Sequence, residues 1–167
     1  MSDDLIPQAV GANIRLLLMD CDGVLTDGRL YFSERGEELK VFHVRDGQGL
    51  ADWHKAGFES GIISGRDAGA IITKRAEELG IRFVKVKSSD KRADFKSIIE
   101  EAGVTADQVA FIGDDVGDAD LMKLVGLPVA VADAADVAKK EAAYITNKDG
   151  GHGAVREVID LLLDSRN

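Results

Sequence analysis

Apolar residues along the chain fall into short unbroken runs separated by stretches in which they recur every third or fourth position, the signature of strands alternating with helices. Ile14 to Met19 is an almost continuous apolar run closed by acidic residues and glycine, the pattern of a strand covered on both faces. Gly28 to Val44 departs from the rhythm: two β-prone pieces, LYFS and ELKVFHV, flank Glu34, Arg35 and Gly36, which predicts a hairpin with glycine in its connection. Asp46 is placed to cap a helix reaching about Ala56, Gly57 stops it, and Phe58 to Ile63 reads as the next strand, ending at Ser64-Gly65-Arg66. Ile71, Ile72, Arg75, Ala76 and Leu79 then sit at helical spacing before Gly80, and Arg82 to Val86 alternates as a strand. Asp90 opens a helix to about Ala102, with Gly103 beyond it. Val109 to Ile112 is a strand before Gly113-Asp114-Asp115, Ala119 to Val125 a short helix, Pro128 to Val131 a strand and Ala134 to Ala142 a helix. Tyr144 to Thr146 reads as an edge strand, and Gly150 to Asp164 as an amphipathic helix marked by Val155, Val158, Ile159 and Leu162.

Five or six apolar strands separated by helices predict an α/β fold with a doubly wound, Rossmann-like parallel sheet. Ligands in such folds sit beyond the carboxyl ends of the strands, near the point where strand order reverses. The polar clusters DCDG, SGR and GDDVGDAD each follow a strand, so all three are expected on one edge of the sheet. With 167 residues and neither repeats nor a linker, residues 1–167 are expected to form one domain. Lys plus Arg number 21 against 30 Asp plus Glu, a net charge of −9 whose field repels nucleic acid and anionic membranes, so neither is an expected partner. The lone Cys21 cannot form an internal disulfide, the acidic N-terminus lacks the basic flank of a signal peptide, and no apolar run approaches the roughly 20 residues that cross a bilayer. A reducing cytoplasm is the expected location.

Asp20 and Asp22 leave the end of a buried strand two positions apart, and Asp114, Asp115, Asp118 and Asp120 crowd after another. Carboxylates so close raise one another's pKa unless a cation neutralises them. A hard divalent ion follows, and Mg²⁺ suits because it takes a few carboxylates and keeps positions for a substrate phosphate. An EF-hand loop is excluded, since glycine follows Asp22 directly and helices are not expected to flank the loop. Ser64, at a strand-to-helix turn, offers a hydroxyl and neighbouring N–H groups to an anion, and Lys91 offers a cation over the same edge. Taken singly these are ordinary acidic turns, a helix cap and a solvated lysine; their common placement after strands is what favours chemistry. His43 and His54 read as structural, one in the hairpin and one on a helix surface.

The order of these motifs, an aspartate pair, a hydroxyl, a lysine and a distal acidic cluster, resembles the haloacid dehalogenase superfamily of phosphatases from about Ile14 to the C-terminus. The resemblance implies that Asp20 attacks a phosphate monoester to form an aspartyl phosphate. Asp22 would protonate the leaving oxygen and then activate water. Mg²⁺ would be held by Asp20, the backbone carbonyl of Asp22 and Asp114, with Asp115 or Asp118 as a further ligand, while Ser64 and Lys91 bind the phosphoryl oxygens. Within the superfamily, DCDGVLTDG, VRDGQGL, SGR, SDK, GDDVGD and GAVREVIDLLL are similar to the branch acting on 3-deoxy-D-manno-octulosonate 8-phosphate, a step of lipopolysaccharide synthesis. Arg66 would then bind the substrate carboxylate, where phosphatases of sialic-acid-type sugars carry glutamate. The short segments between motifs leave no room for a large cap domain. A hairpin flap at about 28–44 carrying Leu30, Phe32, Leu39, Val41 and Phe42 is therefore expected to pack against other subunits, and the resemblance implies a homotetramer in which a neighbour supplies part of the lid. Two departures stand out: His152 in Gly150-Gly151-His152-Gly153 replaces the arginine of the related proteins, and the longer family tail is expected to be missing. Competing assignments are a nonulosonate 9-phosphate phosphatase, a non-catalytic oligomerising module and a phosphorylated signalling receiver. The receiver is disfavoured by the Asp20–Asp22 pair, because a second carboxylate hastens loss of the phosphoryl group.

Overall fold

The computed structural model describes residues 6–66 and 70–167. Six parallel strands form the main sheet: β1 (Leu16–Met19), β4 (Glu59–Ile63), β5 (Phe83–Lys85), β6 (Val109–Gly113), β7 (Leu127–Ala130) and β8 (Tyr144–Ile145), in the order β5-β4-β1-β6-β7-β8. Every residue of β1 is buried, as its unbroken apolar run requires, and Leu16 lies opposite Glu59 on one side and Val109 on the other. β4 and β6 are also nearly all buried, so the centre of the sheet is aliphatic. Chain order reverses about β1, and the carboxyl ends of β1, β4 and β6 converge on one edge.

The described residues also form seven α-helices, α1 (Gln8–Asn13), α2 (Val44–Lys55), α3 (Ile71–Leu79), α4 (Lys91–Ala102), α5 (Val116–Met122), α6 (Asp136–Glu141) and α7 (Ala154–Asp164), and a 3-10 turn at Ala106–Gln108. α7 packs on α1 and α2, and α2 on α3; α4 packs on α5, and α5 on α6. Asp90 caps α4 as expected, accepting from the Arg92 and Ala93 N–H groups, and the left-handed Gly80 and Gly103 close α3 and α4. α1 escaped the sequence pattern because its six residues are too short to show a period. Among the described residues no helix is long and apolar enough to cross a membrane.

Several boundaries differ from the sequence expectation for identifiable reasons. The hairpin consists of β2 (Tyr31–Ser33) and β3 (Gly36–Leu39), with Gly36 opening the second strand at φ +105°. The strand stops at Leu39 because the chain turns to send Lys40 into the interior. α2 is capped by His43, whose Nδ1 accepts from the Arg45 N–H, and not by Asp46. Asp46 is buried and accepts from the Arg156 N–H at 2.9 Å, so it caps the distant α7. α7 begins at Ala154 because Gly150 to Gly153 form a turn; a Cβ on Gly150 would stand 1.7 Å from the Gly23 carbonyl oxygen. α5 lies earlier than expected at both ends, since Asp115 and Asp118 make a capping box at its start. His54 is half-buried, its Nε2 2.7 Å from Ser60 Oγ, rather than on a helix surface.

Candidate active site

The turn after β1 carries Asp20 and Asp22, the turn after β4 carries Ser64 and Arg66, and the turn after β6 carries Asp114; Lys91 arrives at the start of α4. These side chains, with Asp118, line one cavity of about 330 Å³. The sheet ladder fixes Asp20 directly, because its N–H donates to the Ile112 carbonyl at 3.0 Å. Lys91 Nζ donates to Asp20 Oδ2 at 2.8 Å and to Asp118 Oδ1 at 2.7 Å, and Asp118 Oδ2 accepts from the Asp114 N–H at 2.9 Å. Ser64 is buried, and its Oγ accepts from the Arg66 N–H at 3.3 Å. Gly23 admits the approach of Asp114: its φ is +87°, and a Cβ there would lie 1.9 Å from Asp114 Oδ2.

One carboxylate oxygen from each of Asp20, Asp114 and Asp118 falls within 4.8 Å of the others. Burial first, and the Asp118 charge second, push Asp20 up to about 7 despite Lys91; burial and the charges of Asp118 and Asp20 push Asp114 up to about 8. Burial alone would lower Lys91, but Asp20 and Asp118 hold it above its ordinary value. Asp114 Oδ1 is buried with no hydrogen-bond partner. A mutually repelling set of oxygens with an orphaned lone pair is what a hard cation such as Mg²⁺ satisfies, so the donor set fits. Asp118 is largely engaged already, one oxygen by Lys91 and the other by backbone N–H groups. Burial also pushes the Cys21 thiol up, which keeps it protonated between the two aspartates.

The structure therefore brings Asp20, Asp22, Ser64, Arg66, Lys91, Asp114 and Asp118 together. Asp115 lines the same cavity but is not one of the three grouped carboxylates: it is exposed, and its Oδ1 accepts from the Val116 N–H at 2.7 Å as the cap of α5. Asp120 is exposed and pairs with Lys123. His152 is exposed with Nδ1 2.9 Å from the Gly150 carbonyl, and it lines a different cavity with Arg45 and Arg156.

Sequence reasoning missed Lys40 and Glu37. The Lys40 side chain is 1% exposed; its Nζ donates to Asp22 Oδ1 and, at 2.7 Å, to Glu37 Oε1. Glu37 Oε2 in turn accepts from Arg66 Nη2 at 3.2 Å, and Arg66 Nε stands 3.7 Å from Asp22 Oδ2. The available signal was a Glu–Lys pair three residues apart in a hairpin, hidden behind the hairpin's conspicuous apolar positions.

Residues 66–159 match the haloacid dehalogenase-like hydrolase family. Over 163 residues the chain is 45% identical to the 3-deoxy-D-manno-octulosonate 8-phosphate phosphatase KdsC of Escherichia coli (strain K12), covering 98% of this chain and 85% of that protein. The crystal structure of 3-deoxy-D-manno-octulosonate 8-phosphate phosphatase from Yersinia pestis superposes with a TM-score of 0.93 at 43% identity, covering 99% of this chain and 88% of that one. The Moraxella catarrhalis phosphatase of the same name, solved with magnesium, phosphate and KDO, superposes with a TM-score of 0.91 at 35% identity, covering 96% and 91%.

Proposed function

Because the chain belongs to the haloacid dehalogenase-like hydrolases and, within them, to the 3-deoxy-D-manno-octulosonate 8-phosphate phosphatases, we propose that it hydrolyses that ester to the free sugar acid and phosphate. The observation that carries this reading is the convergence of Asp20, Asp22, Ser64, Lys91 and Asp114 on one cavity at the end of the central strand. An Asp20 oxygen attacks phosphorus in line, forming the aspartyl phosphate as the bond to the sugar oxygen breaks. Asp22 gives its proton to that departing oxygen. It then takes a proton from the water that attacks the same phosphorus, releasing phosphate and restoring Asp20. Lys91 and the Ser64 hydroxyl bind phosphoryl oxygens, with Lys91 held in place by Asp20 and Asp118. Asp20, Asp114 and the backbone carbonyl of Asp22 would hold Mg²⁺, which would supply positive charge against the phosphoryl group.

Arg66 takes the substrate carboxylate in this reading, offering a planar fork at a half-exposed position on the cavity wall. The exposed apolar side chains of the hairpin, Phe32 at 69% and Leu39 at 52%, support a homotetramer in which a neighbour closes the site. We assign residues 1–167 to one domain and the reaction to the cytoplasm, supplying a lipopolysaccharide sugar.

The test is a screen of Mg²⁺-dependent phosphate release across sugar phosphates, with Asp20→Asn as the inactive control. The octulosonate ester should be the best substrate, and Arg66→Ala should raise its KM. Comparable rates with a nonulosonate 9-phosphate would remove the substrate assignment, and full activity in Asp20→Asn would remove the mechanism.

A further inference from the structure

Lys40 is a buried lysine next to the largely exposed strands of the hairpin, and its ammonium lies on a catalytic carboxylate. It follows β3 directly, so the hairpin that carries it is covalently close to the site. Glu37 Oε1 grips the same Nζ at 2.7 Å, so the position of the ammonium does not depend on Asp22 alone. An ammonium has donors and no acceptor. The Asp22 oxygen that faces it can therefore accept but cannot at the same time present a proton towards it.

Resting on the reading that Asp22 is the acid of the first step, we propose that Lys40 is a positioning residue that occupies Asp22 Oδ1 and so assigns the catalytic proton to Oδ2. Oδ2 is buried, has no hydrogen-bond partner, and lies 3.7 Å from the Nε of Arg66, which lines the cavity with it. A half turn of the carboxyl group exchanges its two oxygens, and in solution the two orientations are equivalent. Here they are not, because the orientation with the proton towards Lys40 sets two donors face to face. The carboxyl group thus meets the substrate with its O–H already turned away from the hairpin. As the phosphorus–oxygen bond to the sugar breaks, that proton passes from Oδ2 to the sugar oxygen and Asp22 is left as the carboxylate, with Oδ1 still accepting from Lys40. Glu37 extends the arrangement to Arg66 at 3.2 Å, so the hairpin orients two of the cavity's polar groups.

The leaving group separates this role from simple structural support. A sugar alkoxide needs the proton, whereas p-nitrophenolate departs without it. Rapid-quench measurement of the sugar and the nitrophenolate released in the first turnover should show that Lys40→Met loses about 10²-fold more on the octulosonate ester than on p-nitrophenyl phosphate. Asp22→Asn should show the same asymmetry, and Lys40→Arg, which retains a donor, should shrink it to less than about tenfold. Equal losses on both esters for Lys40→Met, beside an asymmetric Asp22→Asn, would overturn the proposal while leaving Asp22 as the acid. A symmetric Asp22→Asn would instead overturn the acid assignment itself, and the proposal with it. Should Lys40→Met fail to fold, Glu37→Gln reads the same ratio, because it loosens the second anchor of the ammonium and leaves Asp22 intact; a symmetric loss there would count against the proposal equally.

Discussion

Loading the site with Mg²⁺ should expel protons, and the number is set by the crowding of Asp20 and Asp114. Burial and neighbouring carboxylates hold these two groups at about 7 and about 8, and a divalent cation binds the ionised forms. Treated as two steps of one coupled pair, they release about two protons on metal binding at pH 6, about 1.4 at pH 7 and about 0.1 at pH 9. Below pH 6 the apparent Mg²⁺ affinity should therefore fall about 10²-fold for each unit of pH. A pH-stat titration of unbuffered protein with saturating MgCl₂, matched against KCl at equal ionic strength, counts the protons directly. Fewer than about half a proton at pH 6 would refute the reasoning, because the carboxylates would then be ionised before the metal arrives. Asp118→Asn removes the charge that ranks next to burial for both groups, so it should lower the count at pH 7. Stability follows the same linkage. Each carboxyl is raised above its ordinary value of 3.8, so its contribution is fully present below about pH 4 and is lost as pH rises through 7 to 8. The increase in Tm on adding Mg²⁺ should accordingly grow across that window.

Asp46→Ala should cost about 1–3 kcal/mol in urea denaturation, because it removes the cap of α7 and orphans the Arg156 N–H; an unchanged midpoint would show that this tie is dispensable. Gly150→Ala places a Cβ 1.7 Å from the Gly23 carbonyl oxygen, beside the glycine that lets Asp114 approach, so both stability and turnover should fall, the former by about 1–3 kcal/mol. Wild-type behaviour in calorimetry and phosphate release would contradict that. Phe32→Asp charges the most exposed aromatic of the hairpin and should yield a smaller species in sedimentation velocity. The same sedimentation coefficient as the parent protein would sink the hairpin-mediated assembly.

The sheet was legible because its strands are buried on both faces and so appear as unbroken apolar runs; each of β1, β4, β6 and β7 lies within a residue or two of its expected place. The aspartate pair, Ser64, Lys91 and Asp114 were legible for a related reason, since a fixed topology sends whatever follows those strands to one edge. Capping was read less well. Asp46 looks like a local cap, yet it serves a helix more than a hundred residues away, because only the packing of α2 on α7 decides which N–H groups it meets. The different surroundings of Asp115 and Asp118 were closed to the sequence since both precede or open the same helix; the capping box turns Asp118 inward to Lys91 and leaves Asp115 on the exposed rim of the same cavity. Lys40 and Glu37 stayed hidden because a polar residue in a short hairpin is ordinarily solvated, and nothing local marks the one that turns in.

The placement of β1 at the middle of the sheet also constrains how the protein is made. Synthesis delivers this strand before its neighbours, residues 59–63 and 109–113, and parallel pairing demands both. A nascent chain consequently holds an aliphatic segment without its flanking partners while most of the domain is still being translated, a topology dominated by distant contacts and slow to close. Asp20 is made before the strands that seat it, so a product that stops short of β6 carries this aspartate without the cavity around it.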